Sequence, residues 1–179
     1  MTMKKTLVIH PNDRTTDMLK YVYKDHPEYT ICRDNGITRN ELKELIVGHD
    51  KIVMLGHGLP NGLIGSNRRT FLIDDGFASI LKEKETVSVW CFSDEYFRNH
   101  SMPGFHTGMI ISEVLEEYMM LGDEVLNQQE MLENFKKLSI CLGKCIDMSA
   151  QEMKDYMLEN YTGCDAVTAF NRNSIRVLN

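Results

Sequence analysis

Short, continuous apolar runs alternate along the chain with stretches whose apolar residues recur every three to four positions. That alternation predicts strands separated by helices. Residues 5–10, 29–33, 51–55 and 86–92 read as strands, the third and fourth being continuously apolar or nearly so. Between them, Met18, Leu19, Val22 and Tyr23 share one helical face, as do Leu42, Leu45 and Ile46. Thr38 and Glu41 precede the second of these at capping-box spacing, and Ser149 and Glu152 repeat the pattern before a helix running to residue 161. The middle is less regular: residues 56–65 read as a glycine-rich loop, 70–73 as a short strand, 76–84 as a helix and 105–112 as a fifth strand. Helical periodicity then carries Val114, Leu115, Tyr118 and Met119, and next Met131, Leu132, Phe135, Leu138 and Leu142. Residues 166–170 and 174–178 are expected to close the fold as a strand pair. Strands alternating with helices imply an α/β fold, a three-layer α/β/α sandwich around a mostly parallel sheet.

No repeat or linker divides the 179 residues, so a single domain over 1–179 is expected. With 42% apolar and 26% charged residues, the chain is not a disordered one. A formal charge of −6 argues against a nucleic-acid clamp, which presents a basic face. The longest apolar run, 87–92, is far short of the roughly 18 residues of a membrane span, and the N-terminus lacks a signal-peptide pattern. Five cysteines, an odd number, then read as reduced thiols, and a cytoplasmic location is expected.

In a parallel sheet the working residues gather outside the carboxyl ends of the strands. The strand at 51–55 runs into Gly56-His57-Gly58, and the strand at 86–92 carries Trp90-Cys91-Phe92 at its end. If these strands are neighbours, His57 and Cys91 reach the same rim, where an imidazole and a thiol form a base and its nucleophile. Gly58, having no side chain, lets a substrate approach the backbone, so its N–H and that of Cys91 are expected to form an oxyanion hole.

These two blocks, an apolar strand leading to His57-Gly58 and a second ending in Cys91 some 34 residues later, resemble the caspase-like superfamily of cysteine peptidases. That group includes caspases, legumain, gingipains, clostripain, separase and the CHAT-type peptidases. The resemblance spans residues 51–113 and implies a caspase-like sandwich, amide hydrolysis through a thioester, a peptide or protein substrate, and neither metal nor organic cofactor. The chain departs from the pattern just before the thiol, where many members carry a small residue and, one position earlier, Gln or Asp; here these are Trp90 and Val89. Trp90, beside the nucleophile, and Asp94, which could meet a basic side chain, are the expected substrate contacts. Asp94 also reads more simply as a helix-start carboxylate.

Two other readings stay open: a catalytically inactive caspase-like adaptor, and a nucleotide- or small-ligand-binding module built on Gly56-x-Gly58. Outside the pair, His10 reads as a strand-end histidine, Asp13 and Asp17 as carboxylates at a helix start, His100 and His106 as surface or loop residues, and Arg68-Arg69 as a solvated turn. Cys141 and Cys145, one helical turn apart, read as packing residues.

Overall fold

The computed structural model of the chain describes residues 4–34, 36–123 and 125–179. Strand β1 (Thr6–Ile9) leads into a 3-10 helix (Arg14–Val22), then come β2 (Thr30–Cys32), α1 (Arg39–Val47) and β3 (Lys51–Leu55). Three short strands follow, β4 (Gly58–Leu59), β5 (Gly62–Ile64) and β6 (Phe71–Ile73), then a 3-10 turn (Asp75–Phe77), α2 (Ala78–Leu81), β7 (Glu85–Val89) and α3 (Ser93–Asn99). The remainder is β8 (Gly104–Thr107), α4 (Val114–Leu121), α5 (Gln128–Cys145), α6 (Ala150–Asn160), α7 (Ala166–Asn173) and β9 (Ile175–Leu178).

The main sheet has six strands in the order β2-β1-β3-β7-β8-β9. All neighbouring pairs are parallel except β8 with β9. The order reverses at β1, so the crevice expected at such a reversal opens at the carboxyl ends of β1 and β3. Alternate side chains bury on opposite faces. Val8, Val53, Leu55, Val87 and Val89 pack with Leu19 and Val22 of the 3-10 helix, Leu138 of α5 and Met157 of α6. Leu7, Ile9, Ile52 and Met54 pack with Ile46 of α1, Leu81 of α2 and Phe97 of α3. Both faces are covered, which explains why the central strands are apolar throughout rather than alternating.

The first helix departs from α geometry. Its buried residues, Thr16, Leu19 and Val22, are spaced by three, the 3-10 period, and Asp13 caps it by accepting from the Thr15 N–H. The capping boxes at Thr38 and Ser149 form as expected.

Three expectations are corrected. The glycine-rich segment 56–65 is not an open loop: β4 and β5 pair antiparallel, and β6 adds a third strand. Gly62 makes the hairpin possible, since its φ is +143° and a Cβ there would lie 1.9 Å from the Ile73 carbonyl oxygen. Residues 166–170 belong to helix α7, because Asp165 caps its first turn by accepting from the Thr168 N–H; only 175–178 form a strand. Strand β7 ends at Val89, leaving Trp90, Cys91 and Phe92 to turn the chain into α3. Phe92 takes the left-handed conformation there (φ 65°). Among the described residues, no helix is long and apolar enough to cross a membrane.

Candidate active site

The β3–β7 ladder sets the geometry. It pairs Leu55 with Val89, and the Gly56 N–H then donates to the Val89 carbonyl at 3.1 Å. The pairing thus continues one residue past the strand, so His57 and the Trp90-Cys91 turn leave the sheet side by side. The turn is stapled from β8: the Thr107 hydroxyl donates to the Trp90 carbonyl (3.1 Å), and the Thr107 N–H donates to Ser93 Oγ (2.9 Å).

His57 and Cys91, both partly exposed, line one small cavity together with Gly56, Ile110, Ser112 and Phe135. Its volume is about 20 Å3, room for one water molecule. The Cys91 thiol donates to the Ile110 carbonyl, Sγ to O 3.8 Å, and burial pushes its pKa up to about 11. At neutral pH the sulfur therefore keeps its proton. Among the described residues no hydrogen bond joins Cys91 to His57. Ser112 also lines a much larger groove, about 970 Å3, which runs past Arg14, Thr15, Glu113, Leu115 and Met131.

The imidazole of His57 is held from the end of β1. Its Nε2 lies 2.6 Å from Thr15 Oγ1. Thr15 Oγ1 donates to Asp13 Oδ1 (2.8 Å) and accepts from Arg68 Nη2 (2.8 Å). Arg68, in the turn between β5 and β6, grips Asp13 with two bonds of 2.5 and 2.7 Å, a bidentate pair. Its guanidinium holds the Asp13 carboxyl well below the usual carboxylate range. Arg68 adopts φ 55°, and its N–H donates to the Gly65 carbonyl at 2.9 Å. The hairpin that replaces the expected loop is what carries this cation across to the β1 end. Asp13, expected as a helix-start carboxylate, does cap its helix and also anchors Arg68, which is the exposed turn residue expected, its guanidinium engaged by that carboxylate.

The expected substrate contacts are placed differently. Trp90 is 1% exposed, its Nε1–H donating to the Leu59 carbonyl at 3.2 Å. Its ring packs on Tyr96, Phe97 and the bare backbone of Gly58, where a Cβ would come within 2.1 Å of the indole. The indole is thus a core side chain with no face left for a substrate, and the need for glycine at 58 has a packing cause of its own. Asp94 is 6% exposed; its Oδ2 accepts from Arg98 at 2.8 Å and lies 3.9 Å from Arg176 Nε of β9, while its Oδ1 is buried with no hydrogen-bond partner among the described residues, so the carboxylate is turned into the protein. Gly56-His57-Gly58 leads into β4 rather than a helix, so no helix N-terminus follows it to hold a phosphate.

His10, His100 and His106 are held away from this cavity. His10 is buried, with Nδ1 3.0 Å from the Tyr23 hydroxyl and Nε2 3.2 Å from the Thr16 carbonyl; burial lowers its pKa to about 4. His106 is not a surface residue: it is fully buried in β8, stacked on Phe97, bonded through Nδ1 to Ser88 Oγ (2.7 Å), and pushed by burial down to about 3. His100 pairs with Asp75 at 3.0 Å.

No family model matches the chain, and no curated protein matches it.

Proposed function

We propose that this chain is a caspase-like cysteine peptidase or amidohydrolase, with Cys91 as nucleophile and His57 as base and then acid. The observation that carries the reading is the shared rim: two adjacent parallel strands, in continuous register to Gly56, deliver the imidazole and the thiol to one cavity. A substrate carbonyl settling over that cavity competes with the Ile110 oxygen for the thiol. The sulfur proton passes to His57 and the sulfur attacks the carbonyl carbon, its π electrons moving onto oxygen. The Cys91 N–H is the donor at hand for the resulting oxyanion, whereas Gly58, expected as its companion, is buried under the Trp90 indole and does not line the cavity. Collapse breaks the C–N bond, His57 protonates the departing amine, and water activated by the same imidazole hydrolyses the thioester. The groove beside Ser112 takes the residues flanking the cleaved bond, with Leu115 and Met131 supplying apolar contact. All five cysteines are free, which suits a reducing cytoplasm.

Two observations favour the inactive adaptor instead: the cavity admits a single water, and the thiol is turned to a backbone carbonyl. A peptidyl acyloxymethyl ketone separates the two readings. For the peptidase, mass spectrometry finds Cys91 labelled ahead of the other four thiols, and His57→Ala abolishes that labelling. Labelling that follows thiol exposure alone, indifferent to His57, establishes the adaptor.

A further inference from the structure

Thr15 Oγ1 has three polar neighbours within hydrogen-bond distance: Asp13 Oδ1 at 2.8 Å, Arg68 Nη2 at 2.8 Å and His57 Nε2 at 2.6 Å. A hydroxyl offers one proton and two lone pairs. Arg68 can only donate, so it occupies one lone pair; the two Nη2 hydrogens go to Asp13 Oδ1 and Thr15 Oγ1, leaving none for His57 Nε2, which lies farther off at 3.5 Å. The Asp13 carboxylate, ionised in its bidentate pair with Arg68, can only accept, so it takes the proton. Only the second lone pair remains for His57. Were the Thr15 proton given to Nε2 instead, two oxygen acceptors would face each other at 2.8 Å with no hydrogen between them.

We infer that Asp13, Thr15 and Arg68 set the tautomer of His57, holding the proton on Nε2 and leaving the lone pair on Nδ1. Nδ1 takes part in no hydrogen bond among the described residues, so it is the nitrogen free to receive the Cys91 proton. The inference builds on the proposed dyad and gives it an orientation. These three are positioning residues, and none of them touches the thiol. The arrangement supplies what a base needs from its supporting groups: a fixed ring, a defined tautomer and a partner for the nitrogen not in use. The hydroxyl is the switching element, because it alone converts an acceptor-only carboxylate into an acceptor for the imidazole N–H.

The test is a long-range 15N–1H correlation spectrum of the full chain with labelled histidine, at a pH where His57 is neutral. His57 is assigned among the six histidines by the peaks missing from His57→Gln. The expected pattern is a protonated Nε2 and an unprotonated Nδ1. Thr15→Val, which removes the hydroxyl at nearly constant shape, shifts the ring toward a mixed population, and Thr15→Ser restores the Nε2–H form. Labelling of Cys91 by the peptidyl ketone falls about 10- to 100-fold in Thr15→Val and returns to within a few-fold in Thr15→Ser. An Nδ1–H or mixed pattern in the unaltered protein, or an unchanged pattern in a folded Thr15→Val, overturns the inference. Should Thr15→Val not fold, the unaltered protein's spectrum alone decides. An Nε2–H ring in a protein whose Cys91 resists the ketone supports the tautomer assignment and overturns the peptidase reading, so the two fail separately.

Discussion

The two strand ends that meet at the cavity are built in opposite ways. The end of β3 is polar and braced: His57 is tied through Thr15 to an Asp13–Arg68 ion pair that crosses from one loop to another. The end of β7 is sparsely bonded: the partly exposed Cys91 thiol donates to the Ile110 carbonyl across a long 3.8 Å, and burial makes it harder to ionise than an ordinary thiol. Organised charge at a rim costs burial and hydrogen-bond partners, and here those are concentrated on the imidazole alone. On the proposed peptidase reading, the resting molecule prepares the base and not the sulfur, which leaves activation of the thiol to substrate binding.

The largest expected effect comes from removing the bracing. Gly62→Ala forces a Cβ to within 1.9 Å of a backbone carbonyl at a strained φ, and the β4–β5–β6 sheet that carries Arg68 has to shift. A loss of roughly 3–5 kcal/mol is expected by urea unfolding, the sum of overpacking and backbone strain. A loss below about 1 kcal/mol would mean that the hairpin is loosely held and the contrast between the two rims overstated.

Next in size is the reactivity of the thiol at the β7 end. A thiol raised from 9.0 to about 11 holds roughly 100-fold less thiolate at neutral pH than an unshifted one. Cys91 is therefore expected to react with iodoacetamide about 10- to 100-fold more slowly than a free thiol, the more basic thiolate offsetting part of the loss, with a rate that climbs until the pH nears 11. Fast alkylation of Cys91 at pH 7, measured by peptide mapping, would erase the asymmetry.

The smallest effect per step is that of acid on the core. His10 and His106 are held neutral, with pKa values of about 4 and 3 against 6.5 unfolded. Below pH 6.5 the unfolded chain binds more protons than the folded one, so stability falls as pH falls. The slope approaches 1.4 kcal/mol per pH unit for each histidine until its folded value is reached. Denaturant midpoints from pH 7 to pH 5 should show it, and His106→Gln should remove about half.

Much of this was legible in the sequence, for physical reasons. The strand at 51–55 and both capping boxes are local: burial on two faces demands a continuous apolar run, and a Thr or Ser three residues before Glu serves the orphan amides. His57 and Cys91 could be placed on one rim in advance because successive strands of a parallel sheet tend to be neighbours and their ends lie side by side. Thr15 and Arg68 could not. Their contact spans 53 positions and exists only because residues 58–73 fold into a hairpin that reaches back over the β1 end. Asp13 was visible only in its local role, the cap. His106 was misread because its strand is short and its burial comes from stacking on Phe97, a neighbour that no local pattern announces. Residues 166–170 read as a strand on their β-branched and aromatic content, and the Asp165 cap decides for the helix.

The chain contains one tryptophan, and it stands next in sequence to the sulfur, flat on Gly58, with its ring N–H tied to the Leu59 carbonyl. Its fluorescence is therefore a built-in optical gauge. Lifting of the β4 segment wets the indole and reddens its emission, so the opening of this rim can be followed in unlabelled protein, in real time.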